Sequence, residues 1–179
     1  MNKERIDALA DGIFAIVMTL LVFDINVPDL HGITTNGRLW SALIELRPAF
    51  MSYVLSFSLL FTYWRAHNYL MSHYAKNIDV TLSNYNAIFF LFVALIPVSS
   101  HILGLYHETQ LGVGVISLNT ILIGLSLYFM RNYIIMSKTI DNVPFDSKNL
   151  RHGTIRTMIP VIFAIAAIPL SFADISSAL

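Results

Sequence analysis

Uncharged stretches long enough to cross a bilayer alternate with short charged clusters along this chain. About 20 helical residues cross roughly 30 Å of hydrocarbon. Four windows meet that length: between Arg47 and Arg65, between Asp79 and Glu108 (interrupted by His101 alone), between Glu108 and Arg131, and between Arg156 and Asp174. A shorter stretch of 12 uncharged residues, Gly12 to Phe23, lies between Asp11 and Asp24. On length alone it could be the core of a signal peptide. Its leading flank mixes Lys3 and Arg5 with Glu4, Asp7 and Asp11, and no small-residue cleavage site follows. It therefore reads as a helix from about Arg5 to Asn26, ended by Pro28. The expected elements are five transmembrane helices, near 5–26, 47–66, 84–105, 110–131 and 156–174, in one membrane domain covering 1–179. Residues 27–39 are expected to be an outer loop, and residues 138–154 the longest inner one.

Composition agrees with this reading. Apolar residues make up 56% and charged residues 12% of the 179, about half the charge of a soluble domain, and the mean hydropathy is +0.66. An ordinary soluble enzyme, a disordered chain and a disulfide-stapled module are excluded. With no cysteine, so are iron–sulfur clusters and thiolate zinc sites. Eleven basic residues balance eleven acidic ones, so no net charge points to nucleic acid.

Charge placement orients the chain. If the spans alternate, Lys3, Arg5, Arg65, Lys76, Arg131, Lys138, Lys148, Arg151 and Arg156 share one side, and only Arg38 and Arg47 the other. The positive-inside rule then puts the N-terminus in the cytoplasm.

Helix 1 carries the chemical signal. Ionisable groups within spans are costly and face protein or an aqueous path. Here Arg5, Asp7 and Asp11 sit near the inner end and Asp24 near the outer one. Between them Ile16, Leu20 and Phe23 recur at i, i+4 and i+7 on one helical stripe, bordered by Thr19 and Asp24. Copies of this stripe facing one another would stack apolar rings beside a hydroxyl layer, with a carboxylate ring at the mouth. That arrangement attracts cations and gates by dewetting. The same spacing also suits a lipid-facing or core helix whose threonine bonds its own backbone.

The run Arg5-Ile6-Asp7-Ala8-Leu9-Ala10-Asp11-Gly12-Ile13-Phe14-Ala15-Ile16-Val17-Met18-Thr19-Leu20-Leu21-Val22-Phe23-Asp24-Ile25 resembles the first helix of prokaryotic homologues of transmembrane protein 175, a potassium-channel family. Its pattern is Arg, Phe-Ser-Asp, Ala-Ile, Thr-Leu-Leu and an acid before Ile. Leu9-Ala10-Asp11 keeps only the acid of the Phe-Ser-Asp core. Trp64-Arg65-Ala66-His67 resembles the family's Trp-x-x-His, and Asn86 before Pro97 resembles its helix 3 pattern. The resemblance implies a homotetramer in a bacterial inner membrane, with helix 1 lining a central pore. In it Ile16 would be the constriction, Thr19 the potassium-selecting hydroxyl layer, and Leu20 and Phe23 the wider lining. Arg5, Asp11, Trp64, His67 and Asn86 would form a structural network. The further expectation that Asp24 gathers cations at the outer mouth follows from its charge. Conduction would be passive, with potassium as the permeant ion, weaker passage of other monovalent cations, and no cofactor. The family normally has six helices; five are expected here.

No carbonyl filter of the Thr-Val-Gly-Tyr-Gly type is present, so selectivity must come from side chains and is expected to be modest. The six histidines (His31, His67, His73, His101, His107, His152) form no metal-ligand spacing. Gly112-Val113-Gly114 lacks the Lys-Ser/Thr of a phosphate loop and reads as close helix packing. Ser56, Ser58 and Ser117 lack a nucleophile motif, so no enzyme is expected. The basic inner loop reads as topology rather than as a lipid site. Two other functions fit the acids: a proton leak or proton-coupled transporter using Asp11, His67 and Asp24, against which the lack of an internal repeat counts, and a non-conducting scaffold.

Overall fold

A computed structural model of the chain describes residues 2–26, 35–141 and 158–169. Among these residues every regular element is helical. Helix α1 (Lys3–Leu20) tightens into a 3-10 turn at Leu21–Asp24. It is followed by α2 (Asn36–Glu45), α3 (Arg47–Tyr74), α4 (Val80–Ala94), α5 (Ile96–Leu105) and α6 (Gln110–Met136). A short apolar helix, α7, spans Met158–Pro169.

Local chemistry sets the boundaries. Asn2, Thr35, Asp79 and Thr109 each accept a backbone N–H in the first turn of α1, α2, α4 and α6, satisfying donors that have no intrahelical partner. Pro48 and Pro97 fall in the first turns of α3 and α5. Proline has no N–H to continue a helix, and its ring meets the carbonyl four residues back. Each therefore breaks the chain, into α2 and α3 at a bend of 47° and into α4 and α5.

Three segments are long and apolar enough to cross a membrane, Lys3–Asp24, Val80–Leu105 and Gln110–Met136, and α2 with α3 makes a fourth if the bent pair counts as one span. The described part of α7 is shorter than a bilayer requires. Residues expected in the fifth span on either side of it lie outside the described residues, as do Pro28, His31, His152 and most of the expected 138–154 loop.

Several ends differ from expectation. α3 continues past residue 66 to Tyr74, and α6 past 131 to Met136. A charge marks where a span leaves the hydrocarbon, but arginine is a good helix former and does not stop the helix. α2 occupies residues expected in part as outer loop, because Thr35 supplies a cap.

The helices alternate in direction. Trp64 of α3 meets Asp11 of α1, and Ser52 of α3 meets Ser100 of α5. Asn77 and Lys76 meet Thr139 and Asp141 beyond α6. Lys3, Arg5, Lys76 and Lys138 thus cluster at one end of the bundle, and Arg38 and Arg47 at the other. The core runs through α1, α3, α4 and α6 around Phe14, Leu60, Tyr63, Met71, Leu82, Phe89, Ile123 and Met130. Gly124 of α6 allows the closest approach: a Cβ there would strike the Val161 side chain of α7 and press on the Tyr63 hydroxyl at 3.3 Å.

A stripe on the first helix and the network behind it

Helix α1 has two opposed faces. Ala10, Phe14, Val17 and Leu21 are buried against the bundle. Their spacing of 4, 3 and 4 residues keeps them on one stripe at about 100° per residue. Ile16, Thr19 and Phe23 lie about 170–230° around the helix from that stripe, pointing away from the core. Ile16 is 60% exposed, Leu20 43% and Phe23 73%. Gly12 stands on the same face with open space where a Cβ would be. The stripe seen in the sequence is therefore the face that the chain's own helices leave uncovered.

Thr19 donates its hydroxyl proton to the Ile16 carbonyl at 2.8 Å, the local bond threonine makes in helices. With the proton engaged, the oxygen lone pairs are what the side chain offers to anything outside.

Behind the stripe, two polar contacts join α1, α3 and α4. Trp64 Nε1 donates to Asp11 Oδ1 at 2.9 Å. His67, 2% exposed, lies 2.7 Å from Asn86 Oδ1 through Nε2. Asn86 uses its amide N–H on the Leu82 carbonyl at 2.9 Å, so its oxygen accepts and His67 Nε2 carries the proton. The imidazole stacks on Phe89, with centroids 5.1 Å apart, and Phe89 in turn packs on Phe14 of α1. Arg5 is exposed and is not brought to Asp11, Trp64 or Asn86; it projects on the uncovered side of α1.

Other contacts were not anticipated. Asp24 Oδ1 lies 3.4 Å from His101 Nδ1 of α5, and its second oxygen is buried without a hydrogen-bond partner among the described residues. Asp24, expected to gather cations at the outer mouth, has its carboxylate turned onto α5. Tyr63 donates to the Thr120 carbonyl at 3.0 Å. Ser52 donates to the Ser100 carbonyl at 2.6 Å, and Asn119 Nδ2 donates to Ser99 Oγ at 3.0 Å. These bonds tie α3, α5 and α6. Polar residues within apolar spans were the available signal, since such groups serve as interhelical glue. At the basic end, Asp79 caps α4 and accepts from Tyr133 and Thr139. Burial opposes its charge, but those three bonds outweigh it and hold the carboxyl below the ordinary range. No group of three metal-ligating side chains occurs among the described residues.

Apolar helices sewn together by buried polar bonds define a polytopic α-helical membrane protein. Residues 5–97 match the family model described as endosomal/lysosomal potassium channel TMEM175. That match covers more than half of the chain, which belongs to the TMEM175 family, a family of channels rather than enzymes. The chain is 27% identical over 173 residues to a potassium channel of Chryseobacterium sp. (strain P1-3), covering 96% of this chain and 84% of the relative. It is 38% identical over 98 residues to a potassium channel of Streptomyces collinus, covering 54% of this chain and 46% of the relative. A third relative is the endosomal/lysosomal proton channel TMEM175 of Rattus norvegicus, 36% identical over 104 residues, covering 55% of this chain and 21% of that protein. The chain thus spans under half of the second relative's length and about a fifth of the third's. The fold matches the crystal structure of a lysosomal potassium-selective channel TMEM175 homologue from Chamaesiphon minutus, with TM-score 0.80, 24% identity, and coverage of 96% of this chain and 87% of that one.

Proposed function

We propose that this protein is a passive, potassium-selective cation channel whose pore is lined by α1 from four identical chains. The observation that carries the reading is the uncovered stripe, with Ile16, Thr19 and Phe23 opposite the face that α1 buries and Leu20 at its edge. One helix cannot enclose a path, and closed symmetry supplies the remaining walls. Ile16 makes the narrow apolar gate. Thr19 presents its oxygen to a partly dehydrated cation, a weak dipole that favours potassium modestly. Leu20 and Phe23 line the wider path toward the mouth. Asp11, Trp64, His67 and Asn86 hold α1 at a fixed rotation, and Arg5, on the uncovered side, joins that network across the boundary between copies. No cofactor takes part. The names of the bacterial relatives support potassium as the ion. The basic end faces the cytoplasm of a bacterial inner membrane by the positive-inside rule.

The decisive experiment is the potassium/sodium reversal potential of purified protein in liposomes, wild type beside Thr19→Ala and Ile16→Ser. Thr19→Ala lowers the potassium preference, and Ile16→Ser raises flux by wetting the gate. Selectivity and flux unchanged in both variants would remove the stripe from the ion path.

A second reading, proton conduction, is favoured by the name of the rat relative and by the exposed carboxyl of Asp11 on α1. It predicts a pH-gradient-driven current that Asp11→Asn abolishes.

A further inference from the structure

We infer that His101 is a positioning residue for the outer turn of α1, acting through Asp24, and that protonation of His101 lowers cation conduction along the stripe. The inference rests on the pore reading above. The turn Leu21–Asp24 is anchored at its two ends: Leu21 is fully buried, and Asp24 is held at His101, 3.4 Å away on α5. Phe23, between the anchors, is the most exposed apolar residue of the helix. Whatever fixes Asp24 therefore fixes where Phe23 points.

The second oxygen of Asp24 is buried and has no hydrogen-bond partner among the described residues. Such an oxygen is costly unless an opposite charge stands near. An imidazolium supplies that charge and draws the turn onto α5. A neutral imidazole does not, and the turn is freer to present its carboxylate to the mouth. Two effects of protonation have one sign. The turn is held against α5, and the negative charge that gathers cations is neutralised.

The surroundings make His101 the group to watch. Against this turn pack α1, α3 and α5. Among the described residues, α5 carries His101 as its one titratable side chain. α3 brings Tyr53 and, at its end, Arg47. α1 has no titratable group between Asp11 and Asp24. Beyond α5, His107 faces its neighbour Glu108 at 3.8 Å.

The test is potassium flux into proteoliposomes as external pH is stepped across about 8 to 5, the range of histidine titration. Wild type is compared with His101→Gln, which does not titrate, and with Asp24→Asn. Wild-type flux falls about threefold or more on acidification, and both variants lose most of that dependence. A His101→Gln profile matching wild type overturns the inference. If neither wild type nor Ile16→Ser conducts, the pore reading fails instead. Thermal melting in detergent then still decides the contact: a double-mutant cycle of His101→Gln and Asp24→Asn shows coupling that is larger at pH 5.5 than at pH 8. No coupling at either pH overturns it independently of conduction.

Discussion

His67 is nearly inaccessible, and its ring proton has one acceptor, Asn86 Oδ1. Removing that acceptor leaves a buried N–H unpaired, a loss of about 1–3 kcal/mol. Asn86→Ala should therefore lower detergent-solubilised stability by about that much. Asn86→Asp should lose less, because an acceptor remains. Equal losses in a chemical-unfolding series would show that the hydrogen bond is not what stabilises this site. Tyr63→Phe should cost less, about 0.5–1.5 kcal/mol, since it deletes the donor to Thr120 and leaves a carbonyl that already accepts within its helix. At this scale the sequence is half transparent. The spacing of Ile16, Thr19, Leu20 and Phe23 fixes their shared azimuth whatever surrounds them. It says nothing of which helix lies opposite. The Trp64–Asp11 and His67–Asn86 contacts bring together residues that family resemblance had grouped, whereas Asp24–His101 joins groups 77 positions apart in the sequence with no motif to connect them.

Elements were legible where hydropathy was strong and illegible where local chemistry decided. The long apolar segments stand out from charge alone. The split of α4 from α5 needed the reading of Pro97 as a break, and α2 needed the reading of Thr35 as a cap. Asp79 shows what a cap does here. It starts α4 and pins the C-terminal end of α6 and the chain beyond it, through Tyr133 and Thr139. Asp79→Ala should lower stability at neutral pH by about 0.5–2 kcal/mol. The wild-type carboxyl titrates lower in the folded chain than in the unfolded one. Its contribution is therefore complete above about pH 4 and is lost as pH falls through the depressed folded value. Melting curves should show the two proteins converging at acid pH; a constant gap would separate the cap from its charge. Gly124 tests element contact in a different way. Gly124→Ala forces Val161 and α7 away from α6 and should cost about 1–3 kcal/mol. Adding Val161→Ala should recover part of it, because the clash is between those two positions.

At the scale of the whole molecule, the two faces of α1 differ. α1 buries one face against α3, α4 and α5 and leaves the other bare. Bare apolar surface is ordinary on a membrane protein, where α3, α4, α6 and α7 also expose large apolar side chains. What distinguishes the α1 stripe is that an open glycine and a threonine oxygen share it. The sequence could read that stripe but not decide between lipid and copies of itself, because a face does not name what covers it. The absence of cysteine makes the decision experimentally clean. In Ile16→Cys each chain carries one thiol, at the level where the proposed pore would bring four helices closest together. Mild oxidation in membranes should give covalent dimers as the terminal product, since one thiol per chain can link only two chains. Their yield should not change when the protein is diluted in lipid, because the partners belong to one assembly. Leu118→Cys, at an exposed position of α6, provides the comparison. Thiols that meet by collision in the bilayer cross-link less as lipid is added. If Ile16→Cys falls with dilution in the same way, the stripe faces lipid, and the conducting path must lie elsewhere in the fold.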